Sequence, residues 1–384
     1  MRYYDPSPIG DTRWFTWPIV LWMTIIVWIG GQLILTVPLP FMLGAYDPEG
    51  FARLFELFDA ETARPKSLFE RIGTPSLVVG TLTGGLGLLA YFLGGREKGA
   101  LWIAMIGIFL TFFGLVPFFM SSAEMTEANE LVLSVIGLSP FAYMLMLLTF
   151  PVALIGLYWG WTRVHKGTLR ALHTTAKRFR WLRVAQSFLI MWIVLGLYGL
   201  TLSQFTDNAP QFVFDAARFV PYAILSLLLL PVQSATEEIV VRGYMNKAAI
   251  RFLGNKWVAF ILTSGLFMAL HLANPEASAG AASGNLPIVM SGYFFFGFAA
   301  CLMVLIDDGL ESAIGVHAAN NTFAAIFVNY ENSVLPTPSI WQVRAEPTGD
   351  AISTILILSI VLGLLYLTRQ KNRDVTPATV GAAD

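Results

Sequence analysis

The chain of 384 residues is poor in charge, and it has a single cysteine and only four histidines. Charged residues make up 13% of the sequence and hydrophobic residues 56%, whereas about 25% of an ordinary soluble domain is charged. The lone Cys301 excludes an intramolecular disulfide and a cysteine metal cluster. No basic tract of the kind that binds nucleic acid is present, so nucleic-acid partners are not expected. The composition predicts an integral membrane protein.

Long apolar runs recur along the chain at about the 20 residues that a bilayer-crossing helix needs. We therefore expect an all-α, polytopic membrane helix bundle with about ten transmembrane helices, or roughly 8 to 10. The first run lacks the cleavage pattern of a secretory signal, so we expect it to be retained. The candidate spans are 18–37, 76–94, 100–120, 137–160, 185–204, 218–240, 257–273, 287–306, 312–330 and 351–368.

Basic residues cluster in alternate connections between these runs, while the intervening connections are acidic or neutral. The basic clusters are Arg96 with Lys98, then residues 163–183, 242–256 and 369–373. Lys and Arg are enriched in cytoplasmic connections of membrane proteins. We expect a multi-pass protein of a bacterial inner membrane, with both termini in the cytoplasm.

Residues 162–184 contain seven Lys or Arg residues and no acidic residue. Interleaved apolar residues suit an amphipathic helix lying on anionic headgroups, and an ordinary cytoplasmic loop explains the same pattern equally well. His165 and His173 fall in this basic segment, where we expect solvent exposure.

Two adjacent carboxylates interrupt the sixth apolar run, in the sequence T-E-E-I-V-V-R-G-Y that holds Glu237, Glu238 and Arg242. A carboxylate at the centre of a bilayer costs roughly 2.5–3.5 kcal/mol on insertion scales. Ionisable residues inside membranes usually mark functional sites. We therefore interpret the pair as part of a functional site.

The remaining histidines lie in later apolar runs and can reach the same site. Glu237 and His271 stand at equal distances in sequence on either side of Gly254, which reads as a helix terminator. An antiparallel hairpin turning there places the two side chains at equal depth. A second hairpin returns His317 and Asn321 on one helix face. The spacing predicts one polar cavity in the cytoplasmic half of the bilayer.

Three motifs in this order carry a resemblance to a known family. They are Glu237-Glu238-x-x-x-Arg242, Phe267-x-x-x-His271 and His317-x-x-x-Asn321. The chain resembles the CAAX protease and bacteriocin-processing (CPBP, also called Abi) family of intramembrane endopeptidases.

The resemblance also divides the chain. It predicts a protease core at residues 185–330. Residues 1–184 form an N-terminal transmembrane region to which the resemblance assigns no role, and residues 331–384 hold the last transmembrane helix and a cytoplasmic tail.

Peptide hydrolysis needs a base for water, a donor to the oxyanion and a proton for the leaving amine. Of the two glutamates, Glu237 is the better base. His271 opposite it can hold the water and later protonate the amine. Glu238 stands four residues before Arg242, the spacing of an intrahelical ion pair, and we expect it to anchor the helix and the substrate backbone. These roles match those that the resemblance implies.

The last two site residues, His317 and Asn321, are suited to donate hydrogen bonds to the oxyanion. A zinc site is an alternative interpretation, in which Glu237, His271 and His317 are the ligands and water takes the fourth position. The chain lacks the H-E-x-x-H helix of many zinc proteases, and Arg242 adds positive charge nearby. We therefore favour a mechanism without a cofactor.

Three functions remain open at this point. The first is an endopeptidase acting near the cytoplasmic membrane face on a peptide or protein that is lipidated or membrane-anchored. The second is a proton- or ion-coupled transporter that uses the buried Glu and His residues as a relay. The third is a non-catalytic bacteriocin-immunity or scaffold protein.

Overall fold

The structure is a computed structural model, and it describes residues 3–4, 10–94, 97–115, 123–202, 209–330 and 333–369. Arg96 and the basic tail beyond Arg369 lie outside the described residues. The described chain is almost entirely helical, which confirms the expected all-α polytopic membrane bundle.

The N-terminal half forms nine helices within the described residues. Their bounds are α1 Thr16–Thr36, α2 Pro38–Tyr46, α3 Pro48–Ala63, α4 Leu68–Leu93, α5 Lys98–Leu115, α6 Ala123–Leu138, α7 Pro140–Arg163, α8 Leu169–His173 and α9 Trp181–Leu202.

The C-terminal half carries the predicted site. It contains α10 Ala216–Glu238, a π-helical segment Ile239–Met245, α11 Asn246–Leu253, α12 Lys256–Leu270, α13 Pro275–Ala282, α14 Leu286–Asp307, α15 Glu311–Ile326 and α16 Pro347–Leu367. Three short strands, β1 Gln211–Phe212, β2 Val328–Tyr330 and β3 Trp341–Val343, pair in the order β1-β3-β2.

Eight helices of the described chain are long and apolar enough to cross a membrane, or nine if one bent pair counts as a span. Two of the ten candidate runs behave differently from the expectation. The run 257–273 breaks after α12, and α13 continues at an angle of 87°. The run 312–330 is split between α15, whose 16 residues cover about 24 Å, and the strand β2.

The connections gather at two opposite ends of the bundle. At one end the sheet joins the connections before α10 and after α15, since β1 and β2 both pair with β3. At the other end the basic connection before α9 meets the turn before α15, where Leu310 N donates to His173 O at 2.8 Å. Which of these ends faces the cytoplasm stays a prediction.

Two arginines of the basic connection form buried ion pairs with this turn. Arg183 binds Asp307 through two hydrogen bonds of 2.7 and 3.0 Å, and both side chains are fully buried. Arg180 binds Glu311 at 2.8 Å, and Glu311 is fully buried as well. Paired carboxylate and guanidinium groups satisfy each other bidentately. These pairs fasten α9 to the α14–α15 turn.

The basic connection does not form a continuous amphipathic helix. Its described helix, α8, has five residues, and His173 is half-buried with its Nε2 at 2.9 Å from the Tyr158 hydroxyl. The segment is a loop that packs on the protein, which is the plainer of the two explanations of its sequence.

The expected exposure of His165 is wrong, because this side chain is fully buried. Its Nδ1 lies 2.7 Å from the Asp11 carbonyl oxygen and its Nε2 lies 3.1 Å from the Tyr244 hydroxyl. The rings of Trp17 and Trp161 surround it. Burial lowers the pKa of the His165 imidazole, since the surrounding rings disfavour its charged form.

We predict that Asp307→Ala strongly destabilises the protein. The substitution leaves the fully buried Arg183 without a carboxylate, which costs about 3–5 kcal/mol of unfolding free energy. The measurement is denaturant or thermal unfolding in detergent micelles. The matched control is Glu127→Ala, whose partner Arg53 is half exposed; breaking such a surface pair costs less than about 1 kcal/mol. Equal losses for the two variants would contradict the prediction.

Candidate functional site: a buried glutamate and histidine network

The two glutamates end α10 and point in different directions, because neighbouring helical residues are about 100° apart around the axis. Glu238 is fully buried, whereas the Glu237 side chain keeps 20% of its surface exposed. The helix then continues as the π-helical segment, which includes Arg242. Short π-helical turns occur frequently at functional sites.

Glu238 is the hub of the network. Its Oε1 accepts a hydrogen bond from Arg242 Nη1 at 3.1 Å and another from His317 Nδ1 at 2.8 Å. A carboxylate can only accept, so Nδ1 of His317 carries the proton. Arg242 also donates to the Gly297 carbonyl of α14 at 3.1 Å and lies over the Phe267 ring of α12. One carboxylate thus joins α10 to α12, α14 and α15.

Glu237 faces the other nitrogen of the same imidazole. Its Oε2 is 3.8 Å from His317 Nε2, which is too long for a direct hydrogen bond. Its Oε1 accepts a hydrogen bond from the side-chain amide of Gln233, one helical turn earlier. Glu237 is therefore held in place while part of its carboxylate stays available.

A chain of amides leads to Glu237. Asn320 donates to the Asn321 Oδ1 at 3.2 Å, and Asn321 donates to the Gln233 Oε1 at 3.0 Å. Gln233 in turn donates to Glu237. Each amide donates to the next group in this chain, which ends at the Glu237 carboxylate. Hydrogen bonds in such chains strengthen one another.

His271 lies at the break between α12 and α13. Its Nδ1 lies 2.7 Å from the Phe267 carbonyl oxygen and must donate to it. In the neutral ring Nε2 is then an acceptor. The ring stacks on Tyr293 at 4.5 Å between centroids. Glu237 and His317 are within its electrostatic reach, although no direct hydrogen bond joins His271 to either of these described side chains.

Aromatic rings line the network on the side of α12 and α14. Phe296 and Phe267 stand edge-on to His317, with centroids at 4.9 and 6.3 Å. Apolar walls exclude water and strengthen the electrostatic interactions inside them.

Among the residues that the structure describes, no three His, Cys, Asp or Glu side chains are grouped so that they could hold a metal ion. The zinc ligand set of Glu237, His271 and His317 does not fit this arrangement. The choice between a zinc and a metal-free mechanism stays a prediction.

The structure places five of the six residues predicted from the sequence in two hydrogen-bonded groups, Glu238 with Arg242 and His317, and Glu237 with Asn321 through Gln233. The two groups meet where Glu237 Oε2 lies 3.8 Å from His317 Nε2, and the sixth residue, His271, lies beside them. Sequence reasoning missed Gln233, Asn320 and Tyr293. The first two had a detectable signal, since Gln233 precedes Glu237 by one helical turn and Asn320 adjoins a motif residue. Tyr293 had none, because its contact depends on how α14 packs on α12.

The fold and this site define a multi-pass membrane protein with a buried carboxylate and imidazole network. Residues 218–323 match the family model described as Type II CAAX prenyl endopeptidase Rce1-like. The match confirms the resemblance to the CPBP family over a stretch that contains all six predicted site residues. Uncharacterized protein YyaK of Bacillus subtilis (strain 168) is 28% identical over 214 residues, which cover 54% of this chain and 69% of that protein. No solved structure matches this chain.

The network predicts unequal stability effects for the two glutamates. Glu238→Ala leaves Arg242 fully buried without a carboxylate, so we expect a loss of about 3–5 kcal/mol of unfolding free energy. Glu237→Gln keeps a hydrogen-bond acceptor for Gln233 at a partly exposed position, and we expect a change within about 1 kcal/mol. Thermal unfolding of both variants in the same detergent measures the difference. A larger loss for Glu237→Gln would refute the assignment of Glu238 as the hub.

Proposed function

We propose that this protein is an intramembrane endopeptidase of the CPBP type, which hydrolyses a peptide bond with a water activated by Glu237 and His271. The observation that carries the proposal is the difference between the two carboxylates. Glu238 accepts hydrogen bonds from a guanidinium and an imidazole, whereas Glu237 is partly exposed and lies 3.8 Å from His317 Nε2, beyond hydrogen-bond distance. A catalytic base needs that freedom.

The side chains provide each step of the reaction. Water between Glu237 and His271 gives a proton to the Glu237 carboxylate as its oxygen attacks the peptide carbonyl carbon. The Nε2 of His271 is an acceptor that orients this water. The proton taken up by Glu237 then passes, directly or by way of His271, to the leaving amine as the carbon–nitrogen bond breaks.

The oxyanion that forms needs hydrogen-bond donors. Asn321 donates to the Gln233 Oε1 at 3.0 Å and to the Ser234 hydroxyl at 3.4 Å, and the longer of these hydrogen bonds is the one that a substrate oxyanion can replace. His317 can donate from Nε2 only when both ring nitrogens are protonated. Asn321 and His317 then act together on the oxyanion.

The substrate that suits this site is a peptide or protein held at the membrane, either lipidated or membrane-anchored. His317 is the seventh residue of α15, which places it about 10 Å from the start of that helix. The basic connection packs at that same end of the bundle. By the positive-inside rule we assign this end to the cytoplasm of a bacterial inner membrane, and both termini to the same side.

Removal of the base tests the activity. We expect Glu237→Gln and His271→Ala each to reduce cleavage at least about 100-fold, the usual contribution of a general base. The measurement is quantitative mass spectrometry of new peptide termini in membranes of cells that express each variant. Matched controls are Glu127→Gln and His173→Ala, which make similar changes outside the network and should leave cleavage unchanged.

Two outcomes of this experiment contradict the proposal. A transporter would lose an ion gradient in the Glu237→Gln variant without any change in peptide termini. A scaffold protein would give the same peptide termini for the wild type and every variant.

The metal-free mechanism has its own test. Purified active protein should contain far less than one zinc per chain by inductively coupled plasma mass spectrometry. Its cleavage activity should persist after treatment with a strong chelator, because the proposed reaction uses no metal ion. Stoichiometric zinc, together with activity that chelation removes and added zinc restores, would replace this mechanism with the zinc hypothesis.

A further inference from the structure

A basic groove lies at the cytoplasmic end of the bundle, far from the glutamate network in sequence. The ends of α1, α4 and α7 form it, and Asp11, Arg13, Tyr91, Arg163 and Lys166 line it. We propose that this groove binds the phosphate of an anionic phospholipid headgroup, with the acyl chains on the neighbouring lipid-facing helices.

Two of the cations in the groove are free to take a ligand. Arg163 and Lys166 are exposed, and neither side chain has a hydrogen bond or ion pair with the described part of the chain. Arg13 already binds the groove's one acidic residue, Asp11, at 2.9 Å. The acid is therefore neutralised, and the groove keeps a surplus of two positive charges for an anion.

The backbone holds Lys166 in place over the groove. Lys166 has a φ of 54°, a left-handed conformation that costs a non-glycine residue of order 1 kcal/mol and is often found at functional sites. The turn around it is fastened on both sides, since Asp11 N donates to the His165 carbonyl at 2.7 Å and Trp161 Nε1 donates to the Thr168 carbonyl at 2.9 Å. These hydrogen bonds therefore hold the backbone of Lys166 in a fixed position.

Exposed aromatic side chains border the groove where it meets the lipid. Trp14 and Trp102 are 52% and 60% exposed and their ring centroids are 6.3 Å apart. Phe92, on the groove itself, is 45% exposed. Tryptophan prefers the headgroup level of a bilayer. A ligand in this groove therefore meets cations at its head and apolar rings along its tail.

This combination favours a phospholipid over a phosphate ion in solution. A soluble anion uses the cations alone, whereas a lipid also covers the exposed aromatic rings on α1, α4 and α5. Each basic residue near the membrane surface raises the affinity for an anionic lipid about fivefold.

Native mass spectrometry of the full chain in detergent micelles tests the proposal. The probes are phosphatidylglycerol, phosphatidylcholine and sn-glycerol 3-phosphate, each titrated against the wild type and two double variants. We expect the wild type to retain phosphatidylglycerol in preference to both other probes. The Arg163→Gln, Lys166→Gln variant should bind it roughly 25-fold more weakly, at about fivefold for each cation.

The matched control is Lys177→Gln, Arg178→Gln. This variant removes two exposed cations from the same connection outside the groove, so it should bind phosphatidylglycerol like the wild type. An equal loss in both double variants would reveal unspecific attraction and overturn the proposal, and so would equal retention of phosphatidylcholine. Binding of glycerol phosphate as tight as that of the lipid would assign the groove to a soluble anion instead.

A further variant guards against loss of the fold. Lys166→Gly removes one cation and places glycine where φ is positive, so the backbone strain is relieved. We expect this variant to unfold at the same temperature as the wild type or higher, and to bind phosphatidylglycerol about fivefold more weakly. Unchanged lipid binding by this folded variant would refute the role of Lys166.

Discussion

The structure of the site depends on the neutralisation of one fully buried carboxylate. An unpaired charge inside a membrane protein is costly. Removing one partner of a buried ion pair costs more stability than replacing the whole pair by apolar residues. Glu238 therefore needs both Arg242 and His317. Because these partners come from the π-helical segment and from α15, satisfying one charge fixes the relative position of two helices. It also determines which nitrogen of His317 carries a proton and which one faces Glu237.

The division of labour between the adjacent glutamates follows from that constraint. A carboxylate that accepts hydrogen bonds from a guanidinium and an imidazole has little capacity left for a substrate, so we propose the reactive role for its neighbour. The amides of Asn320, Asn321 and Gln233 hold that neighbour with hydrogen bonds rather than with a second ion pair. Hydrogen-bond donors fix the position of a carboxylate and add no net charge to the site. These donors therefore fix the position of the Glu237 carboxylate, as the proposed catalytic role requires.

The sequence predicted the parts of the site that depend on local spacing. The Glu238–Arg242 pair is a four-residue helical spacing, and Gly254 ends α11 with the left-handed φ of 66° expected of a terminator. The burial of His165 could not be predicted, because its partners Asp11 and Tyr244 are distant in the chain. The break after His271 was hidden as well, since a hydropathy window cannot distinguish a straight apolar helix from two helices joined at an angle.

The N-terminal region, which lies outside the family match, contributes to the core through the π-helical segment. The Tyr4 hydroxyl donates to the Arg242 carbonyl at 3.2 Å, and Tyr244 donates to the Trp17 carbonyl at 2.8 Å. A π-helical turn leaves backbone groups less well aligned than an α-helix does, so outside donors and acceptors are needed to hold it. Tyr4, which precedes α1, and Trp17 of α1 supply these contacts. The geometry of the glutamate network thus rests on residues far from its own motifs.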